Sequence, residues 1–254
     1  MKLVILGSGT SVPHARRASA ANWIETKSGT LLLDISADSA HRMAEEHLDW
    51  PNLDAIWISH FHLDHMGGLT PFLFSTKWAP QTRTRTKPLK VFGPTGLRKI
   101  FNAINDSNNY GLNDQHFPVE LMEVNAGDSF RILNDVNATT FSTPHTNESQ
   151  AIRITDSLGV SIVYTSDTGY SDELAEFARG VNVLLMESSF WKSSPVEIHL
   201  ALEDALRVAR SAEPQTLILN HLYPEWDGVD LVREAAALWS GKVIAAEDGL
   251  SIEF

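Results

Sequence analysis

One stretch limits what this chain of 254 residues can fold into more than any other. An apolar run, Ala55-Ile-Trp-Ile58, stops abruptly at Ser59-His60-Phe61-His62-Leu63-Asp64-His65-Met66-Gly67-Gly68. A short apolar run bounded by turn residues reads as a buried strand. Four ionisable side chains crowd its exit, and buried ionisable groups need a partner or a metal. Directly after a strand, residues i and i+2 point the same way, so His60 and His62 can grip one ion. Asp64 and His65 fall on the turn that follows and can reach a second ion beside the first. Gly67 and Gly68 let the backbone turn sharply beneath them.

The rest of the chain supplies partners for that strand. Further apolar runs predict strands at Leu3–Leu6, Thr30–Leu33, Leu89–Phe92, Ala151–Ile154, Ser161–Thr165, Val181–Met186 and Thr216–Leu219. Helical periodicity runs over Ala37–His47, Leu97–Asn105, Asp172–Ala178, Leu202–Arg210 and Val229–Trp239. Strands alternating with helices argue for α/β layering. No linker-like tract interrupts the sequence, so one domain, 1–254, is expected. The halves echo each other: Thr30–Asp34, a helix and Leu53–Ile58 match Ser161–Asp167, a helix and Val181–Met186. Two such halves facing each other would bring strand-end side chains into one shared cleft.

Candidates for further ligands stand at strand ends, where a lone histidine can equally be a surface or capping residue. His145 follows Ala138–Pro144, Asp167 ends the run from Val163, and His221 ends Thr216–Asn220. The chain has no cysteine, which excludes disulfides, thiolate sites and a cysteine nucleophile together. Imidazole and carboxylate ligands without thiolate suit Zn2+, with Mn2+ or Fe2+ as alternatives. His14, His41, His47 and His116 lie in expected helices or loops and receive no ligand role.

These residues together resemble the metallo-β-lactamase fold superfamily, and in detail its ribonuclease Z-like phosphodiesterase branch. The resemblance runs nearly end to end. It rests on Leu6-Gly-Ser-Gly-Thr-Ser-Val-Pro13 followed by Arg17, on Leu33-Asp34 and on the histidine motif. It continues through Val91-Phe-Gly-Pro94, Ser166-Asp-Thr168, Met186-Glu187 and Asn220-His221. It implies a four-layer αββα sandwich with two central mixed sheets and two divalent metal ions in the cleft between them. It further implies that His60, His62 and His145 hold one metal, that Asp64, His65 and His221 hold the other, and that Asp167 bridges them. Asp34 and Glu187 would orient ligand imidazoles from behind through hydrogen bonds. In that branch a His at the place of His199 helps to bind and protonate a phosphodiester. Here Leu200-Ala201 follows, where tRNA-processing members usually carry a Thr two residues on, a departure that tells against tRNA as the substrate.

Charge narrows the substrate. Twenty Lys and Arg against thirty-two Asp and Glu give a net charge of −12, so the average surface repels polyanions. No acidic residue lies between Asp64 and Asp106, a span holding seven of the twenty basic residues, among them Arg83 and Arg85. A positive zone of this kind can steer an anionic substrate, and Arg83 and Arg85 are its candidate contacts; an exposed, charge-guarded edge strand is the alternative. The expected activity is hydrolysis of a small or nucleotide-like phosphodiester, with Asp64 taking up the proton of the attacking water and His199 donating to the leaving oxygen. tRNA 3′-processing stays as an alternative, although the long tRNA-gripping arm has no evident counterpart. A lactonase or thioesterase is the other; a glyoxalase II-like enzyme would carry more helical chain after His221 than Tyr223–Phe254. A non-enzymatic scaffold is disfavoured by the full ligand set, and an oxygen-reducing di-iron protein would have Glu at His62. The short N-terminal apolar run and the lack of any run of about 18 apolar residues lead to the expectation of a cytoplasmic protein away from membranes. Homodimerisation is common among such relatives.

Overall fold

A computed structural model describes residues 1–254. In chain order the strands are β1 (Lys2–Gly7), β2 (Ala21–Thr26), β3 (Gly29–Leu33), β4 (Ala55–Trp57), β5 (Leu89–Pro94), β6 (Val119–Val124) and β7 (Ser129–Leu133). They continue with β8 (Val136–Ser142), β9 (Gln150–Asp156), β10 (Ser161–Tyr164), β11 (Val183–Glu187), β12 (Thr216–Asn220), β13 (Val243–Ala245) and β14 (Ser251–Glu253). The helices are α1 (Ser39–Glu45), α2 (Leu63–Met66), α3 (Leu69–Trp78), α4 (Leu97–Ser107), α5 (Asp172–Phe177), α6 (Leu202–Ala212) and α7 (Leu231–Leu238).

The strands form two seven-stranded sheets, β14-β1-β2-β3-β4-β5-β6 and β13-β12-β11-β10-β9-β8-β7. Because side chains alternate across a strand, each strand feeds two cores. Leu3, Ile5, Leu31, Leu33 and Trp57 of the first sheet meet Ile152, Ile154, Ile162, Leu185 and Ile218 of the second in the central core. Their neighbours Val4, Leu6, Leu32, Ile56 and Ile58 face outward onto Met43, Leu73 and Phe101, from α1, α3 and α4. On the far side Val163, Leu184, Met186, Leu217 and Leu219 pack against α5, α6 and α7 through Ala175, Leu206 and Ala235. The result is the expected αββα sandwich. Continuous apolar strands are what a sheet covered on both faces requires, and no helix is long and apolar enough to cross a membrane.

The internal echo is real. From β1 to β6 the pairings run antiparallel, antiparallel, parallel, parallel, parallel. From β8 to β13 they repeat that series, and an antiparallel edge strand, β14 or β7, completes each sheet. The hydrogen bonds correct the alignment. Asp34 N donates to Trp57 O at 2.8 Å, and Thr165 N donates to Leu185 O at 3.0 Å. The counterpart of Asp34 is therefore Thr165, two residues before Asp167. Likewise Asp34 Oδ1 accepts Ser59 N at 2.7 Å while Thr165 Oγ1 accepts Glu187 N at 3.3 Å. The two halves have exchanged carboxylate and hydroxyl between equivalent strands.

Element ends differ from expectation for local reasons. Helix α1 is shorter than Ala37–His47, and α7 starts at Leu231 because the Asp230 side chain caps it by accepting Arg233 N at 3.0 Å. Gly68 earns its place differently than expected: its φ is an ordinary −83°, but a Cβ there would stand 2.0 Å from Ser36 O. Close approach of two backbones is the constraint. Gly68 N donates to Ile35 O at 2.9 Å and Ile35 N to His65 O at 2.7 Å, so the turn after β4 is sewn to the turn after β3.

Candidate metal centre

The parallel strands of both sheets end at one place. His60 and His62 follow β4, Asp64 and His65 lie on the single turn of α2, Asp167 follows β10, and His221 follows β12 with φ of 58°. His145 is on the loop between β8 and β9. All seven expected ligands meet. One ligand atom each from His60, His62, His145 and Asp167 lies within a sphere of contacts no wider than 4.8 Å, and Asp64, His65 and His221 form a second such group. Asp167 stands between them: Oδ2 is 3.9 Å from His60 Nε2 and 3.6 Å from His145 Nε2, while Oδ1 is 3.2 Å from both His65 Nε2 and His221 Nε2. Asp64 Oδ2 lies 3.7 Å from both His65 Nε2 and His221 Nε2.

Hydrogen bonds behind the imidazoles set their tautomers. His65 Nδ1 donates to Asp34 Oδ2 at 2.8 Å. Ser59 Oγ gives its own proton to Asp34 Oδ2 at 2.9 Å, so it accepts from His60 Nδ1 at 2.9 Å. In the other half Ser189 Oγ donates to Glu187 Oε2 and accepts from His221 Nδ1 at 3.0 Å. His145 Nδ1 donates to Ile198 O at 3.0 Å. Each ring therefore turns an Nε2 lone pair inward, the arrangement by which outer partners prepare imidazoles for a cation.

The residues fit a metal on their own chemistry. His60 Nε2, His65 Nε2, His221 Nε2 and Asp167 Oδ1 are all buried and none has a hydrogen-bond partner. Buried polar atoms are almost always paired, and orphans gathered in two adjoining groups that share Asp167 need cationic partners. His62 Nδ1 facing His145 Nε2 at 3.1 Å adds a pair of nitrogens that only a proton or a cation can reconcile. The electrostatics agree. Burial disfavours the His65 imidazolium, yet the Asp167 and Asp34 carboxylates outweigh it and push its pKa well above the ordinary value. Burial and then the neighbouring His65 hold His60 well below. Burial raises the Asp167 carboxyl, but His221 and His65 overcome this and keep it well below the carboxylate range. The carboxylates demand positive charge at the centre.

His199 lies in the loop from β11 to α6, three residues before the helix rather than at its start. Its Nδ1 donates to Glu187 Oε1 at 3.0 Å, and its ring stacks on His221 with centroids 5.6 Å apart. Burial lowers its pKa, but the bond to Glu187 together with the negative charges of Glu187 and Asp167 outweighs it, and the net shift is upward. Glu187 also accepts Thr168 N at 2.6 Å and Leu200 N at 3.1 Å, so one carboxylate fixes His199, Ser189 and the residue after Asp167.

Sequence reasoning missed Ser59 and Ser189 as orienting groups; a serine beside a motif carries no signal until the fold shows what it faces. It also missed Tyr164, whose hydroxyl crosses from the second sheet to Asp34 Oδ2 at 2.8 Å. The basic zone is corrected. Arg85 is buried, and its guanidinium donates to the carbonyls of Lys87, Pro51 and Leu53 at 2.8, 2.8 and 2.7 Å. Pro51 and Leu53 lead into β4, whereas His60 follows its other end. Arg85 is thus a strut on the face opposite the cluster, and exposed Arg83 shares its loop. Lys87 pairs with Asp54 and Arg98 with the Leu121 carbonyl, so this charge is spent locally.

Fold and cluster together define a protein of the metallo-β-lactamase fold. The structure superimposes on the metallo-β-lactamase fold protein YhfI from Bacillus subtilis with a TM-score of 0.82 at 22% identity, covering 99% of this chain and 98% of that one. Human tRNase Z, short form, gives 0.78 at 18% identity over 100% and 99% of the two chains. Among sequence relatives, an uncharacterized protein of Mycobacterium leprae is 30% identical over 98% of this chain and 87% of its own. A ribonuclease Z of Methanococcus maripaludis is 23% identical over 98% and 97%. The profile of the Anti-Pycsar protein Apyc1 family matches residues 1–237, and the chain belongs to that family.

Proposed function

We propose that this protein is a metal-dependent phosphodiesterase acting on a small or nucleotide-like phosphodiester. The observation that carries the reading is the His199–Glu187 pair set against the ring of orphaned nitrogens. The nitrogens call for cations, and His199 places a proton donor beside them. His60, His62, His145 and Asp167 would hold one ion; Asp64, His65 and His221, with Asp167 shared, would hold the second. Zn2+ suits this donor set, with Mn2+ or Fe2+ as alternatives. Bound there, the two cations supply charge neutralisation for the phosphoryl oxygens and acidify the attacking water.

The chain's own residues do the rest. Asp64 Oδ2, equidistant from His65 and His221, takes up the water's proton. Glu187 holds His199 Nδ1, so the opposite nitrogen faces the cluster and donates to the leaving oxygen. Ser59, Asp34, Ser189 and Ile198 O keep the imidazoles from rotating away. Relatives named ribonuclease Z and a diphosphatase from the PhnP family share the fold and support chemistry at phosphorus. Net charge of −12 favours a small substrate over RNA. Metal-loaded protein assayed in parallel on bis(p-nitrophenyl) phosphate and a lactone panel tests this. Turnover of lactones alone would move the assignment to the acyl hydrolases.

A further inference from the structure

We infer that the wall of the cavity beside His199 is a charge filter that rejects substrates bearing a second phosphate. The inference rests on the phosphodiesterase reading and adds to it a specificity device. A cavity of about 920 Å³ opens beside the histidine–aspartate cluster, and His145 and His199 form its inner wall. Past those two rings lie the unpartnered, buried Nε2 atoms of His60, His65 and His221, so its inner end points to a ligand at the cluster. A phosphoryl group held there sends one of its ester substituents past His199 into this space.

The lining is unlike that of an RNA channel. Glu197, Glu203 and Asp204 put three carboxylates on it, against the single ammonium of Lys192. Lys192 is itself drawn over the Trp191 ring at 4.5 Å, and Arg207 sits against the ring of Tyr170, another lining residue, at 4.1 Å. Ser193 offers a hydroxyl group and Asn147 a side-chain amide. A neutral, hydroxyl-rich substituent such as a nucleoside finds partners here. A substituent carrying another phosphate meets three like-charged carboxylates along this open wall, where the repulsion is modest and screened by salt. Nucleic-acid enzymes do the reverse, since they neutralise neighbouring phosphates with Lys and Arg and so bind less tightly as salt rises.

The test compares a dinucleoside monophosphate with its 5′- and 3′-phosphorylated forms, using metal-loaded wild-type protein with bis(p-nitrophenyl) phosphate as standard. The phosphorylated forms should have KM higher by about three- to tenfold at low salt, and the gap should close as salt screens the repulsion. The double variant Glu203→Gln, Asp204→Asn, altered at sites on the outer wall, should narrow the gap without salt. Equal KM values, a preference for the phosphorylated forms, or a gap that the double variant leaves unchanged would overturn the filter. Failure to turn over bis(p-nitrophenyl) phosphate and every dinucleotide would instead sink the phosphodiesterase reading, and this inference with it.

Discussion

Glu187→Gln is the substitution whose cost can be worked most directly from the structure. The carboxylate accepts four hydrogen bonds and donates none. Oε1 takes Thr168 N at 2.6 Å and His199 Nδ1 at 3.0 Å; Oε2 takes Ser189 Oγ at 2.5 Å and Leu200 N at 3.1 Å. A glutamine keeps the shape but offers one acceptor and an NH2 with two donors. Whichever way the amide turns, two bonds are lost and two donors face donors. At about 1–3 kcal/mol for each buried group left unpaired, the loss is about 2–6 kcal/mol. Where the NH2 meets Ser189, the hydroxyl can rotate to accept, which favours the lower end. That is still a large part of the roughly 5–15 kcal/mol holding a domain folded. Urea unfolding of the metal-loaded protein reads the stability change. Turnover of bis(p-nitrophenyl) phosphate should fall by about 100-fold or more, the scale of a misplaced general acid. Adding His199→Ala should then lower turnover little further, because both changes disable one proton donor. A Glu187→Gln protein within about 0.5 kcal/mol of wild type, the range of ordinary surface substitutions, and with turnover within about threefold, would refute the account of this carboxylate.

Other expectations follow from the same geometry. His199→Ala should cost about 10²–10⁴-fold in turnover while metal content, measured by atomic emission, stays near the wild-type level; loss of metal would make His199 a ligand or a prop. Removing metal with a chelator should lower the melting temperature, since cations bound only by the folded chain stabilise it by mass action; an unchanged melting temperature would mean that nothing was bound. The raised pKa of His199 gives a signed pH effect in chelator-treated protein. Its bond to Glu187 contributes fully below the ordinary imidazole value of 6.5 and is lost as pH rises through the raised folded value. The melting-temperature gap between wild type and His199→Gln should therefore narrow as pH rises above the ordinary imidazole range. Arg85→Ala should destabilise by about 3–5 kcal/mol through the backbone carbonyls left unpaired and the emptied contact with Phe117, 4.2 Å away, with no change in KM. A selective rise in KM would restore Arg85 to substrate binding.

Much of the site was legible because its residues are chemically conspicuous. His60, His62, Asp64 and His65 sit within six positions of one another, and a strand of Ala-Ile-Trp-Ile before them leaves little doubt about where they point. His145, Asp167 and His221 could be picked out because each follows an apolar run. Asp34 and Glu187 were proposed through resemblance to orient ligand imidazoles; Asp34 accepts directly from His65, whereas Glu187 accepts from His199 and reaches His221 only through Ser189. The basic stretch misled, because a count of charge along the chain says nothing of direction. Arg85 lies on the loop before β5, at the end of the first sheet away from the cluster, and it turned inward to satisfy carbonyl groups.

Local chemistry, then, determined that this chain builds buried strands ending in imidazoles and carboxylates, since apolar runs and metal-ligand types are properties of short segments. Only tertiary structure decided how those ends meet. The two sheets had to face each other before Asp167 could stand between two groups of histidines, before Tyr164 could reach Asp34, and before Ser59 and Ser189 could dictate which nitrogen of His60 and His221 turns inward. Those contacts join residues from 1 to 130 positions apart, and the short ones depend on the long ones. A hydrogen-bond network of that reach is set by which faces the packed layers bring together, and no window along the chain contains it.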